Sequence, residues 1–477
     1  MLKKKKESGR RTDRNIYVVI YSFVLLFLGM IGYLVYFVAT NEQDLINNSY
    51  NSRQEILISQ NSRGNIYASG GELLAESILQ ADGTEVRNYP YGEKFSHAVG
   101  YSTQGRTGVE AQANYYLINS NINLPEKVAN DLAGVKNQGD SVYTTYDVAL
   151  QEAAYKALGI YKGAIIVSDP TTGKILAMVS KPDYDPNEIM DIWDDLVKDE
   201  SSSVLLNRAT QGLYPPGSTF KIVTTLEYIR ENPDTFKTYS FNCPGYYKIE
   251  DSRINCYHGT RHGKVDLTES FAKSCNSSFA NIGMTLDKQK FAVTLKELLF
   301  NQTLPVNFIY SKSSITMEED LTISEMMQTS IGQGRIQITP LHLNMITAAI
   351  ANNGIMMKPY DITYVESQNG TIIKSYSPSS YGRVMSEQEA QILTELMTAV
   401  VEEGTATRIS GLSYTAAGKT GSAEYNNTKG ESHAWFTGFA PAENPEICVT
   451  VIIEGAGNGG DYAVPMAKRV FNAWFDE

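Results

Sequence analysis

The sequence predicts an α+β protein with one N-terminal membrane-crossing helix, a short stalk or pedestal domain, and a larger domain. In that larger domain an antiparallel sheet carries the terminal helices, and a helical subdomain lies between its strands. Three observations predict this. Residues 16–39 are one uncharged apolar run. Strand-like segments lie far apart in the chain, around 163–180 and again around 433–455. The long stretch between them has mostly helical texture.

The N-terminal run, "IYVVIYSFVLLFLGMIGYLVYFVA", contains 24 residues (Ile16 to Ala39). At helical rise it spans roughly 36 Å, enough for a tilted crossing of the hydrocarbon core. The preceding tail, residues 1–15, holds seven Lys/Arg against two acids, a net +5. Such a tail is expected to stay in the cytoplasm, with everything after Thr40 exported. A cleaved signal peptide is the competing reading. The apolar run is longer than a typical signal core and no small-x-small site clearly follows, so an uncleaved anchor is expected.

The whole chain carries −12, which leaves −17 after the tail. An acidic exported part argues against a nucleic-acid partner. Export also permits disulfides. Cys243 and Cys256 flank the loop "CPGYYKIEDSRINC" and are candidates to pair. Cys275 and Cys448 lie in apolar surroundings and read as buried free thiols.

Residues 40–142 are polar and turn-rich with short apolar stretches, the texture of a stalk or small mixed domain. From Tyr143 to Glu477 the texture changes. "TTYDVALQEAAYKAL" places Val148, Ala149, Ala153, Ala157 and Leu158 at helical spacing. "GAIIVSDPTTGKILAMVS" is two apolar runs split by a turn, a hairpin signal. "HAWFTGFAP" and "ICVTVIIEG" are two further strands, and "YAVPMAKRVFNAWFDE" closes the chain as an apolar-striped helix.

In the middle stands "YPPGSTFKIV", where two prolines and a glycine precede Ser218 and Lys221 follows three residues later. A plain helix cap would explain the serine. So would a nucleophile with an amine beside it. Two further patterns decide between these: Ser274-Cys-Asn276, and Lys419-Thr420-Gly421 followed by Ser422. Together with S-x-x-K they make an ordered trio known from serine acyl-enzymes. A serine hydroxyl needs a nearby base, and Lys221 serves only if burial or a second cation such as Lys419 depresses its pKa. Ser274 is suited to relay a proton to the leaving amine, and Asn276 to bind a substrate amide. Lys419 and Thr420 on an edge strand are suited to a carboxylate. Gly421 would let the substrate backbone approach that strand. The N–H groups of Ser218 and Ser422 are the expected oxyanion donors.

At these residues the chain resembles the class B penicillin-binding proteins, the monofunctional peptidoglycan D,D-transpeptidases. "RGNIYASGGELLAES" is similar to the family's stalk motif, and "HAVGYSTQGRTGVEAQANYYL" to its G-x-x-G…G-x-E segment. "YPPGSTFKI", "SCNSSFANIG", "IGQG", "GKTGSAE" and "HAWFTGFAP" match landmarks of its transpeptidase domain. The resemblance implies a penicillin-binding transpeptidase fold for residues 143–477. It implies Ser218 as the acylated serine, Lys221 as its base, Ser274 and Asn276 as the second motif, and Lys419, Thr420 and Ser422 on the strand side. The implied substrates are D-Ala-D-Ala stem peptides of peptidoglycan, mimicked by β-lactam antibiotics. The implied partner is a polytopic membrane glycosyltransferase of the shape, elongation, division and sporulation class. One departure is Ala68-Ser69, where the family's stalk motif usually has an acidic-basic pair. The stalk, about 100 residues long, is too short for a glycosyltransferase domain, so a bifunctional class A enzyme is not expected.

Other functions remain to be weighed. A β-lactamase of the same superfamily would need a deacylating glutamate in an E-x-x-L-N setting, and "EEDLT" (Glu318 to Thr322) is only a loose echo. A β-lactam sensor would carry several spans and a cytoplasmic protease. A D,D-carboxypeptidase stays open, with the stalk resemblance favouring transpeptidation. His97, His258, His262, His342 and His433 are read as structural or surface groups without metal-ligand spacing, so neither metal nor cofactor is expected.

Overall fold

The computed structural model describes residues 16–37, 53–81, 84–199, 203–318, 320–425 and 431–475. The expected cytoplasmic tail, residues 1–15, and the last two residues of the expected anchor, Val38 and Ala39, lie outside the described residues, as does Glu319 of the "EEDLT" segment. Residues 1–60 and 61–477 form two units.

In the first unit, helix α1 (Ile16–Phe37) has 22 residues and is long and apolar enough to cross a membrane. Its side chains are exposed along its whole length, as a lipid-facing surface requires. The hydroxyl of Ser22 donates to the carbonyl of Val18 at 2.8 Å, so its polar atom is satisfied within the helix. This helix fits a single-pass membrane protein.

The second unit begins with short strands β1 (Ile66–Tyr67), β2 (Leu73–Leu79), β3 (Glu85–Asn88) and β4 (Ser141–Thr144). The hairpin β5 (Gly163–Ser168) and β6 (Ile175–Lys181) comes next. Strands β7 (Ile362–Glu366) and β8 (Ile372–Ser375) follow much later. A six-stranded sheet has the order β8-β7-β4-β1-β2-β3 and so draws strands from both sides of residue 142. Beside it sits a fully buried carboxylate. Glu110 receives Arg63 Nε at 2.5 Å and Arg87 Nε at 2.7 Å. Burial alone would raise its pKa, but the two guanidiniums overcome that and hold it below the usual carboxylate range. The arginine of "RGNI" and the glutamate of "GVE" are therefore one ion cluster.

A second sheet, five-stranded, has the order β9-β10-β11-β5-β6, with β9 (Ala417–Glu424), β10 (Ser432–Ala440) and β11 (Ile447–Ile453), and is antiparallel throughout. Helix α2 (Val148–Leu158) and the C-terminal helix Gly459–Phe475 pack together on it, and helix Pro340–Ala351 also packs against its strands. The two coverings take opposite faces: Phe436 meets Phe471 of the C-terminal helix, while the next residue, Thr437, hydrogen-bonds Thr347 of Pro340–Ala351 at 2.7 Å. Burial on both faces explains why β5, β10 and β11 read as near-continuous apolar runs.

The buried face of α2 differs from the expected stripe. Leu150, Gln151, Ala154, Ala157 and Leu158 are buried, whereas Ala149 is exposed. The reason is polar. Gln151 bonds both backbone groups of Met178, Nε2 to the carbonyl at 2.8 Å and the N–H to Oε1 at 2.7 Å. A periodicity of apolar residues cannot register such a contact.

Candidate active site

Ser218 lies in a 3-10 turn, Gly217–Phe220, that runs directly into helix α3 (Lys221–Glu231). The N-cap of α3 is Phe220, so Ser218 does not cap it. In a 3-10 turn residues i and i+3 eclipse, which puts Ser218 and Lys221 on one side. The turn is clamped from several directions. Tyr214 exchanges backbone hydrogen bonds with Ile338, Trp435 Nε1 donates to the Pro215 carbonyl at 3.0 Å, and Gly217 N–H donates to Gly332 O at 2.9 Å. Gly332, from "IGQG", has φ +77°, and a Cβ there would lie 1.9 Å from the Gly217 carbonyl oxygen. Only glycine lets that loop touch the turn.

Lys221 is buried and its amine bonds to the second motif. Nζ donates to Ser274 O at 2.8 Å, Ser274 Oγ at 3.2 Å and Asn276 Oδ1 at 2.7 Å. Three acceptors match the three N–H donors of an ammonium. The direct hydrogen bond to Ser218 expected from the spacing is not made in this state. To serve as a base, the amine has to give up one proton and one of those contacts.

Ser274 precedes helix α4 (Asn276–Gly283) in a left-handed conformation, φ +54°. Lys419, on the edge strand β9, donates to Ser274 Oγ at 3.0 Å. Two amines thus share one hydroxyl oxygen, whose own proton stays available. Burial lowers Lys221 to about 7. Burial, and then the charge of Lys221, push Lys419 well down from its ordinary value. Both shifts run toward the neutral amine.

Several expected contacts differ. Asn276 Oδ1 is taken by Lys221 and its Nδ2 donates to Asn255 O at 3.1 Å, so its amide positions the lysine before any substrate arrives. Lys419 is fully buried and reaches Ser274 rather than projecting from the strand. The Thr420 hydroxyl lies 2.5 Å from that of Thr405. Gly421 is required by what lies beneath it: a Cβ would meet Pro216 O and Thr219 Cγ2 at 3.0 Å and Trp435 Cβ at 3.1 Å. It seats the Gly217–Phe220 turn on β9. Ser422 Oγ accepts from Gly459 N–H at 3.3 Å.

A cleft of about 1230 Å³ opens over this arrangement, lined by Ser218, Asn276, Ser422, Glu424, Tyr425 and His433 among others. Among the described residues lining it, Glu424 is the only acidic one. Thr322, at the position of the asparagine in E-x-x-L-N, instead caps helix Ile323–Ser330 in a reciprocal pair with Glu325. His433 stacks on Tyr425 at 4.3 Å and accepts from Gly455 N–H at 3.2 Å. His97 and His342 are buried against the carbonyls of Pro182 and Leu298, and His258 lies on Tyr257. His262 is different. With Cys243, Cys256 and Cys275 it forms one cluster beside the second motif. The sequence reading missed this convergence. The only trace is the spacing C-x12-C-x5-H-x12-C, too long to signal a contact on its own. All four cysteines, Cys448 included, are free and buried.

Residues 163–473 match the family described as penicillin binding protein transpeptidase domain, and residues 63–142 match the penicillin binding protein A dimerisation domain. The chain is 33% identical over 454 residues to the peptidoglycan D,D-transpeptidase PbpA of Mycolicibacterium smegmatis, covering 88% of this chain and 91% of that one. It is 27% identical to the peptidoglycan D,D-transpeptidase MrdA of Acinetobacter baumannii, covering 81% of this chain and 66% of that one. The penicillin G acyl-enzyme complex of penicillin-binding protein A from M. tuberculosis is similar with a TM-score of 0.79 at 30% identity, over 87% of this chain and 100% of that one.

Proposed function

Because this chain belongs to the class B penicillin-binding proteins, the peptidoglycan D,D-transpeptidases, we propose that Ser218 is its acylated nucleophile and that neutral Lys221 is the base that activates it. One observation carries the reading: the amine of Lys221, one turn after Ser218, and that of Lys419 converge on Ser274 Oγ. A lysine near pKa 7 holds a lone pair at neutral pH. As it swings from Asn276 or Ser274 toward Ser218, it takes the hydroxyl proton while Oγ attacks the carbonyl of the penultimate D-Ala.

The tetrahedral oxygen sits between the N–H groups of Ser218 and Ser422, the second of these on the edge strand β9. Ser274 passes a proton to the leaving D-alanine amine, which breaks the peptide bond and leaves the acyl group on Ser218. Lys419, bonded to Ser274, offers its amine to the terminal carboxylate, whose negative charge favours the protonated amine once bound. The acyl group then passes to an amine of a neighbouring stem peptide, and the same bases act in reverse. A β-lactam enters by the same attack, but its leaving nitrogen stays tethered.

The positive-inside rule places the +5 tail in the cytoplasm and the catalytic domain outside. A polytopic membrane glycosyltransferase that makes the glycan strand is the partner this arrangement suits.

The test is covalent. The full-length protein in detergent, incubated with a penicillin and mapped by mass spectrometry, should carry one stable adduct on Ser218, and Ser218→Ala should carry none. An adduct on another residue would sink the assignment. With a stem-peptide donor and an amine acceptor, cross-linked product marks transpeptidation, while release to water alone marks a carboxypeptidase.

A further inference from the structure

We propose, resting on the reading of Ser218 as nucleophile and of Lys419 as the carboxylate end of the cleft, that Gln333 is a specificity-determining residue: its carboxamide closes the open edge of β9 at Glu424, so that a donor peptide pairs with that edge through one residue only. Strand β9 is outermost in its sheet and is paired on its other side with β10. In an antiparallel ladder the N–H and C=O of a residue point to the same side, and the side alternates from one residue to the next. Gln333, which lines the cleft, shows which residues face the open side. With its carboxamide nitrogen toward the Glu424 carbonyl, it donates there at 3.3 Å, and its oxygen accepts the Glu424 N–H at 3.1 Å. One side-chain amide thus does what a residue of an added strand would do. Glu424 turns both backbone groups away from β10, and so do Ser422 and Thr420, which share its parity. The Thr420 carbonyl agrees, since it accepts from Lys419 Nζ at 3.2 Å.

The edge is therefore taken on both sides of Ser422, by Lys419 at Thr420 and by Gln333 at Glu424. Ser422 lies between them and lines the cleft. A donor whose terminal carboxylate lies toward Lys419 runs antiparallel to β9. Its penultimate D-Ala then faces Ser422 and exchanges both hydrogen bonds with it: the scissile carbonyl takes the Ser422 N–H, and the D-Ala N–H goes to the Ser422 carbonyl. The donor residue two places earlier would face Glu424, about 7 Å along the strand. The carboxamide of Gln333 already holds that position.

The loop holds Gln333 firmly. Its neighbours Gly332 and Gly334 have φ +77° and +82°, Gly332 O accepts from Gly217 N–H at 2.9 Å, and Gln333 N–H donates to Gln328 O at 2.9 Å. The segment that braces the turn carrying Ser218 thus also ends the edge that the donor uses. The consequence is chemical. In a stem peptide the residue before the diamino acid is joined through its γ-carboxyl, which breaks the two-residue repeat of a strand. An edge open at Glu424 would reward an ordinary α-linked backbone there. An edge closed by Gln333 is indifferent to that linkage and reads the donor through its D-Ala-D-Ala end.

The test uses the full-length protein in detergent and donors that end in a diamino acid followed by D-Ala-D-Ala. The residue before the diamino acid is a glutamate joined through its γ-carboxyl, a glutamate joined through its α-carboxyl, or the α-joined form N-methylated so that it cannot donate to Glu424. Release of D-alanine with an amine acceptor present gives kcat/KM, normalised to the fraction of chain that a penicillin labels on Ser218. Wild type should turn over the α-joined donor and its N-methyl form equally. Gln333→Ala should prefer the α-joined donor over its N-methyl form by roughly fivefold or more, the worth of one hydrogen bond. Gln333→Asn, whose shorter arm withdraws the carboxamide with less loss of packing, should show the same preference. A wild type slowed roughly fivefold by N-methylation overturns the edge stop, because the donor is then bonded at Glu424. Variants that label on Ser218 yet remain indifferent to N-methylation also overturn it. A wild type with no penicillin adduct on Ser218 overturns the catalytic reading itself, and the edge stop falls with it.

Discussion

Lys221 offers the sharpest test of the catalytic reading, because its environment converts into a rate. An amine at its ordinary pKa of about 10.4 is neutral in roughly one molecule in a thousand at pH 7.4. Burial brings Lys221 to about 7, so roughly 70% is neutral at that pH by the same relation. The buried site thus raises the population of usable base by nearly three orders of magnitude, worth about 4 kcal/mol. The second-order rate of penicillin acylation, followed by stopped-flow or by quenched mass spectrometry, should therefore rise with pH through a midpoint near 7. At pH 6 it should be about a tenth of the plateau. Lys221→Ala should lower the plateau by about 10²–10⁴ and abolish that midpoint. Linkage gives an independent check. Between pH 7 and the ordinary lysine range the unfolded chain binds the proton and the folded chain does not, so Lys221 makes stability rise with pH there. Below about 7 both states are protonated and this contribution is flat. Wild type should gain stability over Lys221→Met across that window, by up to about 1.4 kcal/mol per pH unit. A flat rate profile between pH 6 and 8, or an unchanged midpoint in Lys221→Ala, would refute the assignment of Lys221 as base.

Three further outcomes follow from the geometry. Ser274→Ala removes the oxygen shared by Lys221 and Lys419, so acylation should fall by about 10²–10⁴ and the pH midpoint should move below 7; an unmoved midpoint would detach Ser274 from the lysine. Gly332→Ala places a Cβ 1.9 Å from Gly217 O, and thermal unfolding should show a loss of about 1–3 kcal/mol or more together with slowed labelling; full labelling would mean the turn does not depend on that contact. Glu110→Gln leaves Arg63 and Arg87 buried without their carboxylate, which should cost about 3–5 kcal/mol while chain that remains folded still acylates at Ser218; a loss of acylation without loss of stability would tie the pedestal to the chemistry.

Much of the architecture is written in short-range pattern. The membrane helix, the hairpin at 163–181, the two strands before the C-terminal helix and that helix itself all follow from runs and periods of a few residues. Strands buried on both faces announce themselves as continuous apolar runs. The spacing of Ser218 and Lys221 on one turn is equally local. Where a polar side chain replaced an apolar one, as Gln151 does on α2, the pattern misled, because periodicity counts hydrophobicity and not hydrogen bonds.

What the sequence by itself determined is therefore whatever a turn or two of chain can encode: the kinds of element, the apolar anchor, the order of three motifs and the chemistry their residue types allow. Only the tertiary structure decided where those side chains point. Lys419 meets Ser274 across 145 residues of chain, the Thr420 hydroxyl turns to Thr405, and Gly421 answers to Trp435 and Pro216 below it. Cys243, Cys256, His262 and Cys275 come together only when separate loops close on the start of one helix. Contacts of that kind are set by the packing of the whole domain, and nothing in the local periodicity of any one segment records them.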